Sequence, residues 1–186
     1  MKIVIVRHTR VGVPRGTCYG WSDVPVASTF EQEARATLER LDEEKRKCHI
    51  ADFDIVLSSP LTRARKLAAF CGFPQARTDE RLKEMSMGDW EMADYDALWA
   101  HDAFFRKWLD HYDTLPTPHG ESFPEFYDRV ARVFEELVAS PAQAALVFAH
   151  GGVCACGGLF AGLFDVKHAY SPENLTPYGG IRVITV

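Results

Sequence analysis

The chain has 186 residues, about 1.2 times the roughly 150 of a typical domain, which predicts one domain over residues 1–186 with an appendage rather than two full domains. Apolar residues at 47%, charged residues at 25%, and 13 Gly with 10 Pro are ordinary for a globular protein and exclude collagen-like, low-complexity and disordered chains. Twenty-one basic against 26 acidic residues leave a net charge of −5, so neither nucleic acid nor a membrane surface is an expected partner, and an anionic ligand requires a local basic pocket.

The first element is Ile3-Val4-Ile5-Val6, a β-branched run apolar on both faces, as a strand buried in an α/β sheet requires, and it stops abruptly at Arg7-His8. Thr29-Phe30-Glu31-Gln32 has the pattern of a capping box and predicts a helix with Phe30, Ala34, Leu38 and Leu41 inward, ending near Arg46. The charge cluster Asp42 to Lys47 is then its solvated end. Phe53 to Leu57 predicts a second strand running into Ser58-Ser59-Pro60. With Ser59 as N-cap and Pro60 at the first helical position, a helix follows through about Phe70, carrying Arg63 and Arg65 in its first turns.

Residues of about 80–120 lack a clear strand. Their spacing of Tyr95, Leu98, Trp99, Phe105, Trp108, Leu109 and Tyr112 predicts a short helical insertion over one rim. Ser122-Phe123-Pro124-Glu125 is a second capping box, with Phe126, Tyr127, Val130, Val133, Phe134 and Leu137 on one face of the helix it opens. Ala144 to Ala149 predicts a third buried strand, running into His150-Gly151-Gly152. An apolar helix over Val153 to Phe164 and a closing strand over Ile181 to Val186 complete the chain. Strands alternating with helices predict a three-layer α/β/α sandwich with a mostly parallel central sheet, whose active groups collect where strands end.

Apolar runs fall far short of the ~20 residues that span a bilayer, and the first residues have no signal-peptide pattern, so the expectation is a soluble, cytoplasmic protein. Cys18, Cys48, Cys71, Cys154 and Cys156 are odd in number and irregular in spacing, which implies reduced thiols rather than a disulfide framework. A metal site from His8, His150, Cys154 and Cys156 is not expected, because thiols two apart on a helix point to different faces; no cofactor is called for.

Three strand exits deliver Arg7-His8, Arg63 after one helical turn, and His150-Gly151. If they share one sheet edge, two imidazoles and two guanidiniums converge, an arrangement suited to a phosphate dianion because arginine presents planar paired donors. Gly151-Gly152 before a helix lets backbone N–H groups approach the same anion.

In order along the chain stand Arg7-His8-Thr9, Ser58-Ser59-Pro60-Leu61-Thr62-Arg63-Ala64, the segment Leu82 to Glu91, Gly120-Glu121-Ser122 and Ala149-His150-Gly151-Gly152. This set resembles the histidine phosphatase superfamily, or phosphoglycerate mutase-like family, over nearly the whole chain. The resemblance implies that His8 is the nucleophile, forming a phosphohistidine; that Arg7, Arg63 and His150 bind the phosphate oxygens; and that Glu84, near Met85, Met87 and Trp90, is the proton donor. Attack requires a neutral imidazole whose other nitrogen donates to a fixed acceptor. Thr9 and Arg10 stand where Gly and commonly an acid follow the Arg-His pair, Met92 where a second Gly follows Trp-Glu, and His119 at the first Gly of Gly-Gly-Glu-Ser. The Thr9 hydroxyl is available to phosphate, and Arg10 adds positive charge near the mouth.

Cys18 to Val26 resembles the Tyr-Gly-x-x-Asp-x-Pro-Leu signature of the α-ribazole phosphatase branch, as does Pro177-Tyr178-Gly179-Gly180. This resemblance implies hydrolysis of a small-molecule phosphomonoester, α-ribazole 5′-phosphate, in cobalamin nucleotide-loop assembly, with Tyr19, Trp21 and insertion aromatics stacking its base. The alternatives are a broad-specificity sugar-phosphate or nucleotide phosphatase, a phosphoglycerate mutase, disfavoured by the short insertion, and a non-catalytic phospholigand-binding module, which has no need of a proton donor.

Overall fold

A computed structural model describes residues 1–186. In chain order it contains β1 (Lys2–Arg7), α1 (Phe30–Lys47), β2 (Ile55–Ser58), α2 (Thr62–Phe70), β3 (Arg77–Thr78), α3 (Tyr95–His101), α4 (Ala103–Asp110), α5 (Phe123–Ala139), β4 (Ala144–Ala149), α6 (Gly151–Phe160) and β5 (Ile181–Thr185). Short 3₁₀ turns lie at Glu80–Leu82, Gly88–Trp90, Val166–His168 and Pro172–Asn174.

The strands form one sheet in the order β3-β2-β4-β1-β5. β5 runs antiparallel to β1, and every other pairing is parallel. The doubly apolar β1 and β4 are its centre, and alternate residues divide between two cores. Ile3, Ile5, Ala145 and Val147 pack with Val130, Phe134 and Val153 of α5 and α6. Val4, Val6, Leu146 and Phe148 pack with Ala34, Leu41 and Leu67 of α1 and α2. This is the three-layer α/β/α arrangement that the alternation of elements predicts.

The Ser122 capping box forms as predicted, with the Ser122 and Glu125 side chains each bonded to the other's backbone. The box predicted at Thr29 does not close. Thr29 is the N-cap of α1, but its hydroxyl donates to the Glu33 carboxylate instead of accepting from the helix backbone. Helix α2 starts two residues later than predicted. Its N-cap is Leu61 rather than Ser59, because the Ser59 hydroxyl is engaged elsewhere, and the Asp23 carboxylate takes both the Thr62 N–H (2.8 Å) and its hydroxyl. Helix α6 begins at Gly151 rather than Val153, with His150 as N-cap, and ends at Phe160. Strand β3, two residues long, offers no sequence pattern to detect.

The insertion is helical as predicted. Asp94 and Asp102 cap α3 and α4 by accepting from Ala97 and from Phe104 and Phe105. Asp102 also takes the Trp90 indole N–H (2.8 Å), seating Trp90 against Phe105 and Trp108. The insertion thus hangs from a buried aromatic cluster beside the carboxyl ends of β1 and β4.

Candidate active site

Register puts the two histidines together. Arg7 of β1 pairs with Ala149 of β4, so the next residues, His8 and His150, leave neighbouring strands at the same edge. The His8 N–H donates to the Ala149 carbonyl (3.0 Å), and the ring centroids lie 5.2 Å apart, edge to face. Both rings are buried.

The His8 Nδ1 lies 2.6 Å from the Thr9 carbonyl oxygen, an acceptor only, so Nδ1 carries the proton and Nε2 keeps its lone pair. Burial, then the Arg63 charge, with Arg7 adding to it, holds this imidazole well below its usual range despite the Thr9 bond. It is neutral at pH 7. Burial, Arg63 and the His8 ring do the same to His150.

His150 Nε2 lies 2.7 Å from the Ser59 hydroxyl, which accepts a long 3.3 Å bond from the Leu61 N–H. The hydroxyl proton is therefore available to Nε2, which leaves the proton of the neutral ring on Nδ1. That nitrogen is buried and has no partner within the protein.

Arg63, in the first turn of α2, is fully buried and donates to the carbonyls of Ser22 (2.8 Å) and Gly20 (2.7 Å). Arg7 donates to the Thr176 carbonyl (2.7 Å) and stacks on the Tyr178 ring, 4.0 Å from its centroid. The Nε atoms of both arginines and the Thr9 Oγ1 are likewise buried without a protein partner. Such groups are costly to leave unpaired, and these sit beside His8 and His150. A tetrahedral oxyanion satisfies donors of this kind.

The Glu84 carboxylate accepts from the Gly152 N–H (3.0 Å) and from Met85 N–H (3.0 Å). Gly152 has to be glycine: a Cβ there would lie 2.2 Å from Glu84 Oε1 and 2.7 Å from the Phe126 ring. Glu84 and His8 line one cavity of about 530 Å³, together with Arg7, Met85, Met87, Trp108 and Leu109. Five of the six tyrosines of the chain, Tyr19, Tyr95, Tyr112, Tyr170 and Tyr178, also line it. The Tyr19 and Tyr178 hydroxyls meet at 2.7 Å, and Tyr19 faces Arg63, 5.2 Å from ring centroid to Cζ.

The fold brings His8, Arg7, Arg63, His150, Glu84, Thr9, Gly151 and Tyr19 to this edge. It does not bring Trp21 into the cavity. Trp21 is 45% exposed and its ring lies under the Lys83 ammonium, because the backbone N–H of the residue is tied to Glu91 (2.8 Å). Arg10 is drawn onto Glu33 of α1 and His119 onto Asp89, so neither lines the cavity.

Four contributors escape a reading of the sequence. Ser59 reads there as a helix cap and Tyr178 as part of a turn. Glu91 takes N–H bonds from Gly20, Trp21, Ser22 and Met87, fixing the loop whose carbonyls hold Arg63; burial opposes its charge, but these bonds prevail and lower its pKa. Its only signal is its place in the Leu82–Glu91 motif. Nothing in the sequence singles out Arg129.

The sequence profile of the histidine phosphatase superfamily (branch 1) matches residues 3–172. A Hydrogenobacter thermophilus protein provisionally named phosphoserine phosphatase 2 is 40% identical over 103 residues, 53% of this chain and 51% of its own. The adenosylcobalamin/alpha-ribazole phosphatase of Escherichia coli is 33% identical over 160 residues, covering 82% of this chain and 75% of its own. A crystal structure of phosphoglycerate mutase from Thermus thermophilus superposes with a TM-score of 0.72 at 28% identity, over 98% of this chain and 92% of that one. The chain spans about half the length of the Hydrogenobacter relative. With the profile running from β1 to the start of the last 3₁₀ turn, the chain belongs to branch 1 of the histidine phosphatase superfamily.

Proposed function

We propose that this protein is a phosphomonoester hydrolase working through a phosphohistidine on His8, with α-ribazole 5′-phosphate as substrate. The observation that carries the reading is the Nδ1 bond of His8 to the Thr9 carbonyl, which leaves a neutral Nε2 lone pair among Arg7, Arg63 and His150.

In the first step Nε2 bonds to phosphorus in line with the departing P–O bond, and Glu84 gives its proton to the leaving alkoxide. In the second, water adds to phosphorus, the P–N bond breaks and Glu84 takes the water proton back. Arg7, Arg63 and the His150 Nδ1–H hold the equatorial oxygens, whose charge the transition state spreads.

The cavity supports the choice of leaving group. Apart from Arg7 and His8, which belong to the phosphate site, its lining contains no basic side chain. The carboxylate of a phosphoglycerate or phosphoserine has no cation to meet there, whereas the rings of Tyr19, Tyr95, Tyr112, Tyr170 and Trp108 suit a flat uncharged base on a ribose. The name of the Escherichia coli relative supports the same choice.

The test is kcat/KM across a panel of phosphomonoesters with trapping of the phosphoenzyme. α-Ribazole 5′-phosphate should exceed simple sugar phosphates, phosphoserine and 3-phosphoglycerate. His8→Ala should abolish both turnover and the acid-labile label. Values equal across the panel defeat the substrate assignment, and label on another side chain defeats the nucleophile.

A further inference from the structure

Arg129, on the second turn of α5, makes a set of bonds for which the reaction as described has no use. Its Nη1 donates to the carbonyls of Arg81 (2.7 Å) and Lys83 (2.8 Å), and its Nη2 to the carbonyl of Glu84 itself (2.8 Å). Nε and Nη2 also grip both oxygens of Glu121, at 2.6 and 2.8 Å. Glu121 in turn accepts the Ser86 N–H (2.7 Å). The peptide carrying Glu84 is therefore held by its carbonyls on one side and by the N–H two residues on at the other.

The same guanidinium lies 4.7 Å from the Phe126 ring centroid, and that ring fills the space against which Gly152 packs. Gly152 donates the N–H that holds the Glu84 carboxylate. The backbone of Glu84 is thus braced from α5 and its carboxylate from the start of α6, against which the Phe126 ring of α5 packs. The Arg129 side chain is only 18% exposed, and a loop that must hold one carboxylate in place gives it a reason to collect three carbonyls and a carboxylate.

The geometry points to Arg129 and Glu121 as a positioning pair for the proton donor of this site. They touch no substrate and act through Glu84. The inference rests on the reading of Glu84 as proton donor, and the step it serves is transfer of the Glu84 proton to the leaving oxygen as the P–O bond breaks and the bond from His8 Nε2 to phosphorus forms. Displacing a catalytic group by about 1 Å costs on the order of 10²-fold.

The experiment uses two leaving groups. 4-Nitrophenolate departs without a proton, whereas the alkoxide of a primary-alcohol phosphomonoester requires one, and kcat/KM reports the first transfer for both. Arg129→Lys, Glu121→Gln and Glu84→Gln are compared with wild type, using inhibition by inorganic phosphate to read the anion site separately.

For Arg129→Lys and Glu121→Gln, kcat/KM for the best alkyl substrate of the panel should fall about 30- to 100-fold, while that for 4-nitrophenyl phosphate stays within about threefold and phosphate inhibition is unchanged. Equal losses on both substrates, or no loss on either, overturn the positioning role. If Glu84→Gln itself lacks the selective alkyl loss, the proton-donor reading fails. If Glu84→Gln shows the loss and the other two do not, only the positioning pair fails.

Discussion

The Ser59 hydroxyl stands 2.7 Å from His150 Nε2, at the point where the ends of β2 and β4 converge. Donating there, it fixes the tautomer that leaves the buried Nδ1–H free for the proposed phosphate. Ser59→Ala frees the ring to protonate either nitrogen and leaves a buried Nε2 without a partner, at a cost of about 1–3 kcal/mol. The expected outcome is a fall in kcat/KM of about 10- to 100-fold, matched by weaker phosphate inhibition. Unchanged values for both would show that Ser59 does not set the tautomer.

Gly152→Ala tests the close approach at the amino end of α6. The added methyl would meet Glu84 Oε1 at 2.2 Å and Phe126 at 2.7 Å, neither of them free to swing away. Overpacking of this kind costs about 1–3 kcal/mol, and the displaced carboxylate should lower kcat on alkyl phosphates by about 10²-fold. Chemical denaturation and steady-state kinetics read the two effects separately. A variant as stable and as active as wild type contradicts the geometry.

Acid should weaken the fold through the two buried histidines. Burial, followed by the Arg63 charge, holds both rings well below 6.5 in the folded state, so the unfolded chain binds more protons as pH falls past 6.5. The stability they contribute is complete above that value and declines below it, by about 1.4 kcal/mol per ring per pH unit until the folded pKa is reached. The expected result is a drop in Tm from pH 7 to about pH 5.5, and a smaller drop in His8→Asn. Equal drops in the two proteins would remove His8 from the account.

Met92 and His119, which stand where the resemblance to the family implies glycine, sit at φ 66° and 54°, in the left-handed region. A side chain there costs about 1 kcal/mol relative to glycine. Met92 is half exposed and the His119 bond to Asp89 lies at the surface, so little is lost by removing either side chain. Met92→Gly and His119→Gly should each raise the urea midpoint, by up to about 1 kcal/mol of stability. A lower midpoint for Met92→Gly would assign that side chain a packing role.

What the sequence discloses follows from how local each signal is. β1 and β4 are apolar on both faces and end in Arg7-His8 and His150-Gly151, so strand, exit and chemistry are written within a few consecutive residues. The Ser122 box is equally local and forms as read. The Thr29 box has the same letters, yet Glu33, one turn on, captures the hydroxyl. Ser59 misleads for a related reason: a serine before proline has the form of a cap, and only the adjacency of β2 and β4 reveals the histidine that claims it. Trp21 and Arg129 depend on partners 70 and 45 residues away in sequence, Glu91 for one and the Glu84 carbonyl for the other, and no spacing rule reaches that far.

Neither Arg7 nor Arg63 forms an ion pair; both are steadied by backbone carbonyls, from Thr176 in one case and from Ser22 and Gly20 in the other. Dipoles orient a guanidinium without cancelling its charge, so the charge of both is left for a dianion, less what the nearby Glu84 carboxylate offsets. Because Arg63 is sealed from solvent, dissolved ions shield it poorly. Capture of a phosphate group should therefore persist in concentrated salt, where attraction resting on surface lysines fades.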